Sequence, residues 1–152
     1  YNQFGLLYEY VAADQEVLRG AVSDKFENTA WGITGSWVIT GEDASYKGVV
    51  PLKSFDPAAG TWGAWELTGR YHELDVDDTI FTNYAPGFFA NPGSSVDKAR
   101  AWGIGTNWYL NRNIKLLFDF DHTDFTGGSY IGSDLVDRVP EDVFFTRFQL
   151  SF

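Results

Sequence analysis

Apolar and polar residues alternate along most of the chain with a period of two, and helical spacing is hard to find. This alternation predicts six β-strands joined by polar connections rich in Gly and Pro. Most of the predicted strands are about twice as long as the five or six residues of an ordinary globular strand. They are Asn2–Val11, Asn28–Gly41, Gly63–Leu74, Ala99–Leu110, Ile114–Asp124 and Asp142–Phe152.

The two faces of these strands differ in composition. The 28 positions assigned to one face include no Asp, Glu, Lys or Arg, and their aromatic rings lie near both strand ends, as in the girdles of a membrane-spanning sheet. The aromatic residues predicted to lie at the lipid interface are Trp31, Trp37, Trp65, Tyr71, Trp102 and Trp108. The other face mixes small, hydroxyl and ionisable residues, and its predicted lumen-facing charges are Glu9, Glu66, Arg70, Lys115, Asp119, Asp121 and Arg147.

This contrast predicts an all-β fold, an antiparallel transmembrane β-barrel with apolar residues outside and polar residues inside. The alternative is a soluble β-sandwich or lectin-like fold, in which aliphatic side chains would pack against a second sheet. Six strands are too few for a closed barrel, since the smallest have eight, and open edges are not tolerated in lipid. We therefore expect residues 1–152 to be the C-terminal part of one barrel domain, without a second domain, completed by strands of the same or another chain.

The connections predict an orientation. Asn111–Asn113 is a minimal turn, whereas Ala12–Glu27, Asp75–Lys98 and Phe125–Glu141 are long. Outer-membrane barrels have short periplasmic turns and long external loops, so the C-terminus is predicted to be periplasmic. Glu42–Trp62 is long but belongs to the periplasmic side. Either it is a loose loop, or it folds into the lumen, where Lys47 and Lys53 would shape an anion path.

Composition excludes several classes of protein. The 152 residues include 21 acidic and 11 basic side chains, a formal net charge of −10, which disfavours nucleic-acid binding. The chain has no Cys, so it has neither disulfides nor thiolate metal sites. We predict no cofactor and no metal site.

No catalytic residues are predicted, and we expect a protein that is not an enzyme. Alternation places Asp119 and Asp121 on one face and His122 on the other, so the histidine cannot join the two carboxylates. We expect Asp119 and Asp121 to pair with Lys115 or Arg147 of neighbouring strands.

Several stretches resemble the C-terminal portion of the phosphate-selective porin O and P family. They are Phe4–Val11, Trp37–Glu42, Gly63–Tyr71 and Trp102–Asn111. The chain's last residues resemble the signal that the barrel-assembly machinery recognises, with Phe148, Leu150 and Phe152 at alternate positions. The resemblance implies a 16-stranded outer-membrane porin, usually a homotrimer, of which this chain would supply the last six strands.

The resemblance implies a water-filled channel for passive diffusion of small solutes, anions such as phosphate among them. It implies membrane lipid, lipopolysaccharide and the barrel-assembly machinery as partners, in the outer membrane of a Gram-negative bacterium. The chain departs from an anion-selective pattern because its predicted lumen-facing residues are nearly balanced in charge. The alternative is a barrel without a channel role, such as an adhesin, a scaffold or a bound substrate of the assembly machinery.

Overall fold

The structure is a computed structural model that describes residues 2–82, 87 and 89–151. A 3₁₀ helix spans Asp78–Phe81. Among the described residues, no helix has the length and apolar character needed to cross a membrane. The strands are β1 Phe4–Arg19, β2 Val22–Val38, β3 Ala64–Asp75, β4 Val96–Tyr109, β5 Ile114–Ile131, β6 Asp134–Asp137 and β7 Glu141–Leu150.

The strands form an antiparallel sheet in the order β1-β2-β3-β4-β5, and both β6 and β7 pair with β5. β7 runs along the first part of β5 and β6 along its last part. Within the described residues, β1 pairs only with β2 and β7 only with β5, so the sheet is not closed. The prediction of an all-β antiparallel fold is confirmed.

We call the two ends of the sheet the turn end and the loop end. The turn end carries the short connection between β4 and β5 and the connection between β2 and β3. Asn111 closes the short turn, because its Oδ1 accepts the amides of Asn113 at 2.8 Å and Ile114 at 2.9 Å. Asn113 Nδ2 donates to the carbonyl of Ser151 at 2.6 Å and so ties the end of β7 to this turn.

Two of the connections predicted to be long loops, Ala12–Glu27 and Phe125–Glu141, consist largely of paired strands at the loop end. β1 and β2 pair as far as Arg19 and Val22, so most of the expected loop Ala12–Glu27 is a hairpin closed by Gly20 and Ala21. Gly20 has φ of 65°, a conformation that two-residue hairpin turns favour and that glycine adopts without steric cost. Likewise, β5 and β6 occupy much of the expected loop 125–141.

These loop predictions were wrong because strand pairing continues where the contrast between the faces ends. Before Trp31, for example, β2 carries charged residues on both faces, including Asp24 and Lys25, so the alternation on which the prediction rests disappears. The described residues between β3 and β4, which are 76–82, 87 and 89–95, do lie outside the strands, as expected for this connection.

Cross-strand register places the apolar positions of all the long strands on one side of the sheet. Large apolar side chains remain exposed there, including Leu6 at 67% and Phe144 at 69%. A contiguous exposed apolar surface of this kind marks a contact with lipid or protein. We call this side the apolar face and the other side the polar face.

Candidate functional site

Arg70 is the centre of an ionic cluster on the polar face. Its Nε lies 2.9 Å from Asp121 Oδ1 and its Nη2 lies 2.5 Å from Asp121 Oδ2, a bidentate pairing. Its Nη1 lies 3.7 Å from Asp119 Oδ1. The expectation that Asp119 and Asp121 pair with Lys115 or Arg147 of adjacent strands was therefore wrong.

Two glycines of β4 allow Arg70 to reach across a whole strand. Gly103 lies between Arg70 of β3 and Asp121 of β5 in the register, and Gly105 stands opposite Asp119. A Cβ at Gly103 would overlap the Asp121 carboxylate and lie 2.9 Å from Arg70 Nε. The ion pair therefore occupies the space that side chains on β4 would fill.

Glu66 lies nearer the turn end and is buried, with 7% of its surface exposed. Its Oε2 accepts hydrogen bonds from Asn107 Nδ2 at 3.0 Å and from the Tyr109 hydroxyl at 2.8 Å. A buried carboxylate needs such donors, because an unsatisfied one is costly. Glu66 is therefore held by neutral groups, whereas Asp121 is held by a cation.

Residues 42–52, from the β2–β3 connection, fold onto the polar face and cover Glu66. Val49 is 3% exposed and packs against Val38, Ala64 and Tyr109, which all lie on that face. A Cβ built on Gly5 would lie 3.7 Å from Ala44 Cβ, so the segment also contacts β1. We call these residues segment 42–52.

Polar contacts hold segment 42–52 at both ends. Glu42 is buried; it accepts hydrogen bonds from the Thr40 hydroxyl and, at 3.0 Å, from the Leu52 amide. The Tyr46 hydroxyl donates to the carbonyl of Leu6 on β1. The chain then leaves the polar face, since Phe55 packs against Trp62 and Trp108 at ring distances of 5.7 and 5.2 Å.

The two lysines of this connection consequently lie in different surroundings. Lys47 lines a cleft between segment 42–52 and the turn between β4 and β5. Lys53 is exposed and does not line that cleft. Glu9 and Arg147 are exposed on the polar face, and Lys115 is half-buried there.

On the apolar face, the six predicted interface aromatics form two rows. Near the turn end, Trp37 stacks on Phe4 and Trp65 stacks on Trp108, with ring distances of 5.8 and 4.8 Å. Near the loop end, Trp31 contacts Tyr71 at 5.3 Å. The third member of that row is Trp102, which faces Tyr71 in the register. Trp31 and Trp37 are six positions apart in β2, which is about 20 Å along the strand.

The model of the phosphate-selective porin O and P family matches residues 1–152. This chain belongs to that family. It is also 32% identical to Porin O of Pseudomonas aeruginosa over 83 residues, which are 53% of this chain and 18% of that protein. The matched stretch thus spans less than a fifth of the relative's length.

The predicted assembly signal of this porin-family chain lies only partly within the described residues. Phe148 and Leu150 are exposed, at 64% and 54%, on the apolar face at the end of β7. Phe152 lies outside the described residues.

At the loop end of this porin-family chain, Asp77 fastens residues 76–82 to β2. Its carboxylate accepts the Thr79 hydroxyl at 2.6 Å, the Thr79 amide at 3.0 Å and the Glu27 amide at 3.1 Å. Hydrogen bonds from Thr79 and Glu27 hold the pKa of Asp77 below its ordinary value. Nearby, Phe26 is 1% exposed and packs edge-on against Phe89 at 5.1 Å.

The described residues contain no cluster of three or more His, Asp or Glu side chains arranged to hold a metal ion. His122 stands apart from Asp119 and Asp121: its Nδ1 lies 2.7 Å from Asp142 Oδ1 and its Nε2 lies 3.3 Å from Asp124 Oδ1.

Sequence reasoning missed several residues that build the polar face in this member of the porin O and P family. The alternation places Gly103 and Gly105 on this face. Only the strand register shows that they lie between Arg70 and the two aspartates. Arg112 was treated only as a turn residue, although it lines the same cleft as Lys47. Glu42 and Tyr109 gave no signal, because their contacts join segments far apart in the sequence.

Proposed function

We propose that the protein is an outer-membrane porin whose water-filled channel passes small solutes, including anions such as phosphate, by passive diffusion. One observation carries this proposal: between its two aromatic rows, the apolar face of the sheet carries no charged residue, and the charged residues of that part of the sheet lie on the opposite face. Lipid favours the first face and a water-filled lumen favours the second.

The polar face is the proposed lumen wall. Segment 42–52 covers part of it with the chain's own residues, as an in-folded connection does inside a pore. On this proposal the charged residues Glu9, Glu66, Arg70, Lys115, Asp119, Asp121 and Arg147 face the lumen, together with Lys47. Because open sheet edges are not tolerated in lipid, further strands would complete the barrel beyond β1 and β7.

The proposed orientation follows from the two ends of the sheet. The short turn at Asn111 points to the periplasm, and the long hairpin of β1 and β2 projects outside the cell. The C-terminus is then periplasmic. The aromatic rows of the apolar face would contact membrane lipid and the external row would adjoin lipopolysaccharide. We further propose a homotrimer that is inserted by the barrel-assembly machinery, and a protein without enzymatic activity.

Conductance tests this function directly. The whole protein, extracted from membranes in detergent, is added to a planar lipid bilayer in KCl, and we expect discrete current steps. A reversal potential in a KCl gradient then gives the ion preference. Protein that inserts into the bilayer without current steps would overturn the channel and favour an adhesive or scaffolding barrel.

A further inference from the structure

A cleft of about 360 Å³ lies on the polar face toward the loop end. Small residues of β2 and β4 form its floor beside Leu74 of β3, and they are Ala30, Gly32, Ala99 and Ala101. Leu74 is 41% exposed, so apolar surface faces the proposed lumen at this point. Concave sites for organic ligands are mostly apolar and have volumes of about 300 Å³ or more, and this cleft fits both criteria.

Two polar side chains border this apolar floor. Glu9 of β1 and His72 of β3 both stand opposite Gly32 in the register, so about 10 Å separates their backbones. The His72 ring leans over Gly32, because a Cβ on this glycine would lie 2.4 Å from His72 Nδ1. The imidazole therefore extends from its own strand toward Glu9, and the two side chains border the same space.

Glu9 is the carboxylate of this cleft that has no cationic partner. Across the described residues, no Lys, Arg or His nitrogen lies within 4.0 Å of it, and no carboxylate lies within 4.0 Å of the His72 ring. The other acidic residue of the lining, Glu73, pairs with Lys98 and Arg100 on the other side of the sheet. The described lining contains no Lys or Arg, so the charge of Glu9 is not balanced within the cleft.

We propose that this cleft binds small organic ammonium ions, with the apolar part of the ligand on the floor and the ammonium group between Glu9 and His72. An ammonium group has three donors, and both a carboxylate and a neutral imidazole can accept a hydrogen bond from it. An inorganic cation would leave the apolar floor uncovered, and an anion would be repelled by Glu9. The proposal rests on the proposed channel, because a solute reaches the polar face from the lumen.

The test is the block of potassium chloride current by benzylammonium, with the whole protein in a planar bilayer. Ammonium is the comparison, because it carries the same charge without an apolar part. We expect benzylammonium to reduce the current in a saturable manner. Ammonium at the same concentration should leave the current unchanged, because it buries no apolar surface on the floor of the cleft.

Glu9→Gln removes the unbalanced charge of the cleft. We expect the benzylammonium concentration that halves the current to rise about three- to tenfold, since one charge at contact distance in water has an effect of this order. Asp14→Asn is the matched control, because this exposed carboxylate lies on the same strand but on the other side of the sheet. Leu74→Ala removes part of the floor and should raise the half-blocking concentration about two- to fivefold.

Equal shifts for Glu9→Gln and Asp14→Asn would overturn the proposal, since general surface charge would then explain them. A current that benzylammonium does not reduce, or that ammonium reduces to the same extent, would overturn it as well. These outcomes leave the channel proposal standing, whereas absence of current steps in the unmodified protein overturns the channel itself.

Discussion

The Arg70 cluster and the cleft that is lined by Lys47, Arg112 and Lys115 lie on the same face of one sheet, yet their charges are arranged in opposite ways. At Arg70, one guanidinium faces Asp121 and Asp119, so the group as a whole is negative. In the cleft, three cations have no acidic neighbour among the described lining residues. A sum of charges over the whole polar face hides this difference, because its predicted lumen-facing acidic and basic residues nearly balance.

The difference arises from the side chains between the charged groups. Gly103 and Gly105 leave room on β4 for a carboxylate of β5 to meet a guanidinium of β3. At the turn end, Tyr109 of β4 lies between Ala64 of β3 and Lys115 of β5 in the register, so no carboxylate stands across β4 from Lys115. The Lys115 ammonium instead lies 5.3 Å from the centre of the Tyr109 ring. A basic side chain on this wall is therefore neutralised across a strand only where the intervening residue is small and a carboxylate lies beyond it.

Gly105→Val should have the largest effect, because its Cβ would overlap the Asp119 carboxylate and lie 2.8 Å from Thr68 Oγ1. We expect a loss of about 3 kcal/mol in the free energy of unfolding, measured by urea titration of tryptophan fluorescence in vesicles. Gly69→Val is the control, since a Cβ there meets nothing within 4 Å. A similar loss of stability in both variants would contradict the inference that Gly105 makes room for the Asp119 carboxylate.

Tyr109→Phe removes the hydroxyl that donates to buried Glu66 but keeps the ring beside Lys115. We expect a loss of about 1.5 kcal/mol in the same urea titration, as for a hydrogen bond to a charged group. In the control Tyr71→Phe, the hydroxyl donor to Glu73 is only partly buried, and the loss should be smaller.

Asp121→Asn removes the bidentate partner of Arg70 and makes the cluster neutral overall. We expect a loss of about 1 kcal/mol in stability, reduced by the partial exposure of the pair. The reversal potential in a KCl gradient should shift toward anions. The control is Asp142→Asn, which removes a charge beside His122 on the other side of the sheet and should leave the reversal potential unchanged. An equal shift in both variants would show that the reversal potential does not report the charge of the polar face.

The smallest expected effect is that of Asp77→Asn. The carboxylate of Asp77 accepts hydrogen bonds from neutral groups, in contrast to Asp121, which is paired with a guanidinium. Its pKa is lowered in the folded protein, so its contribution to the docking of residues 76–82 is present above about pH 4 and is lost as the pH falls through the lowered value. Hydrogen exchange at the Thr79 amide checks this. Relative to the parent protein, Asp77→Asn should speed exchange at pH 6 but little at pH 3, and the exposed neighbour variant Asp78→Asn should do neither.

Much of this fold could be predicted because a membrane-spanning sheet has a strict two-residue period. The alternation from Trp31 to Trp37 and from Trp102 to Trp108 placed those rings on one face without any knowledge of the register. The extensions of β1, β2 and β5 could not be predicted in the same way, because polar residues occur on both of their faces.

The candidate site was less predictable for a different reason. Alternation shows which face a residue lies on but not which residue it meets two strands away. The pairing of Arg70 with Asp121 depends on the register of three strands. The separation of Lys47 from Lys53 depends on where segment 42–52 leaves the polar face, and no local pattern marks that point.

The ion pair that Arg70 forms with Asp121 across β4 also bears on how the strands align. A strand can slide by two residues and keep every side chain on its correct face, so alternation alone does not exclude such a slip. If β4 slid by two residues in one direction, Ala101 would take the place of Gly103 beside the ion pair. In the other direction, Asn107 would take the place of Gly105. The ion pair of Arg70 thus favours one alignment of β3, β4 and β5 over its nearest competitors.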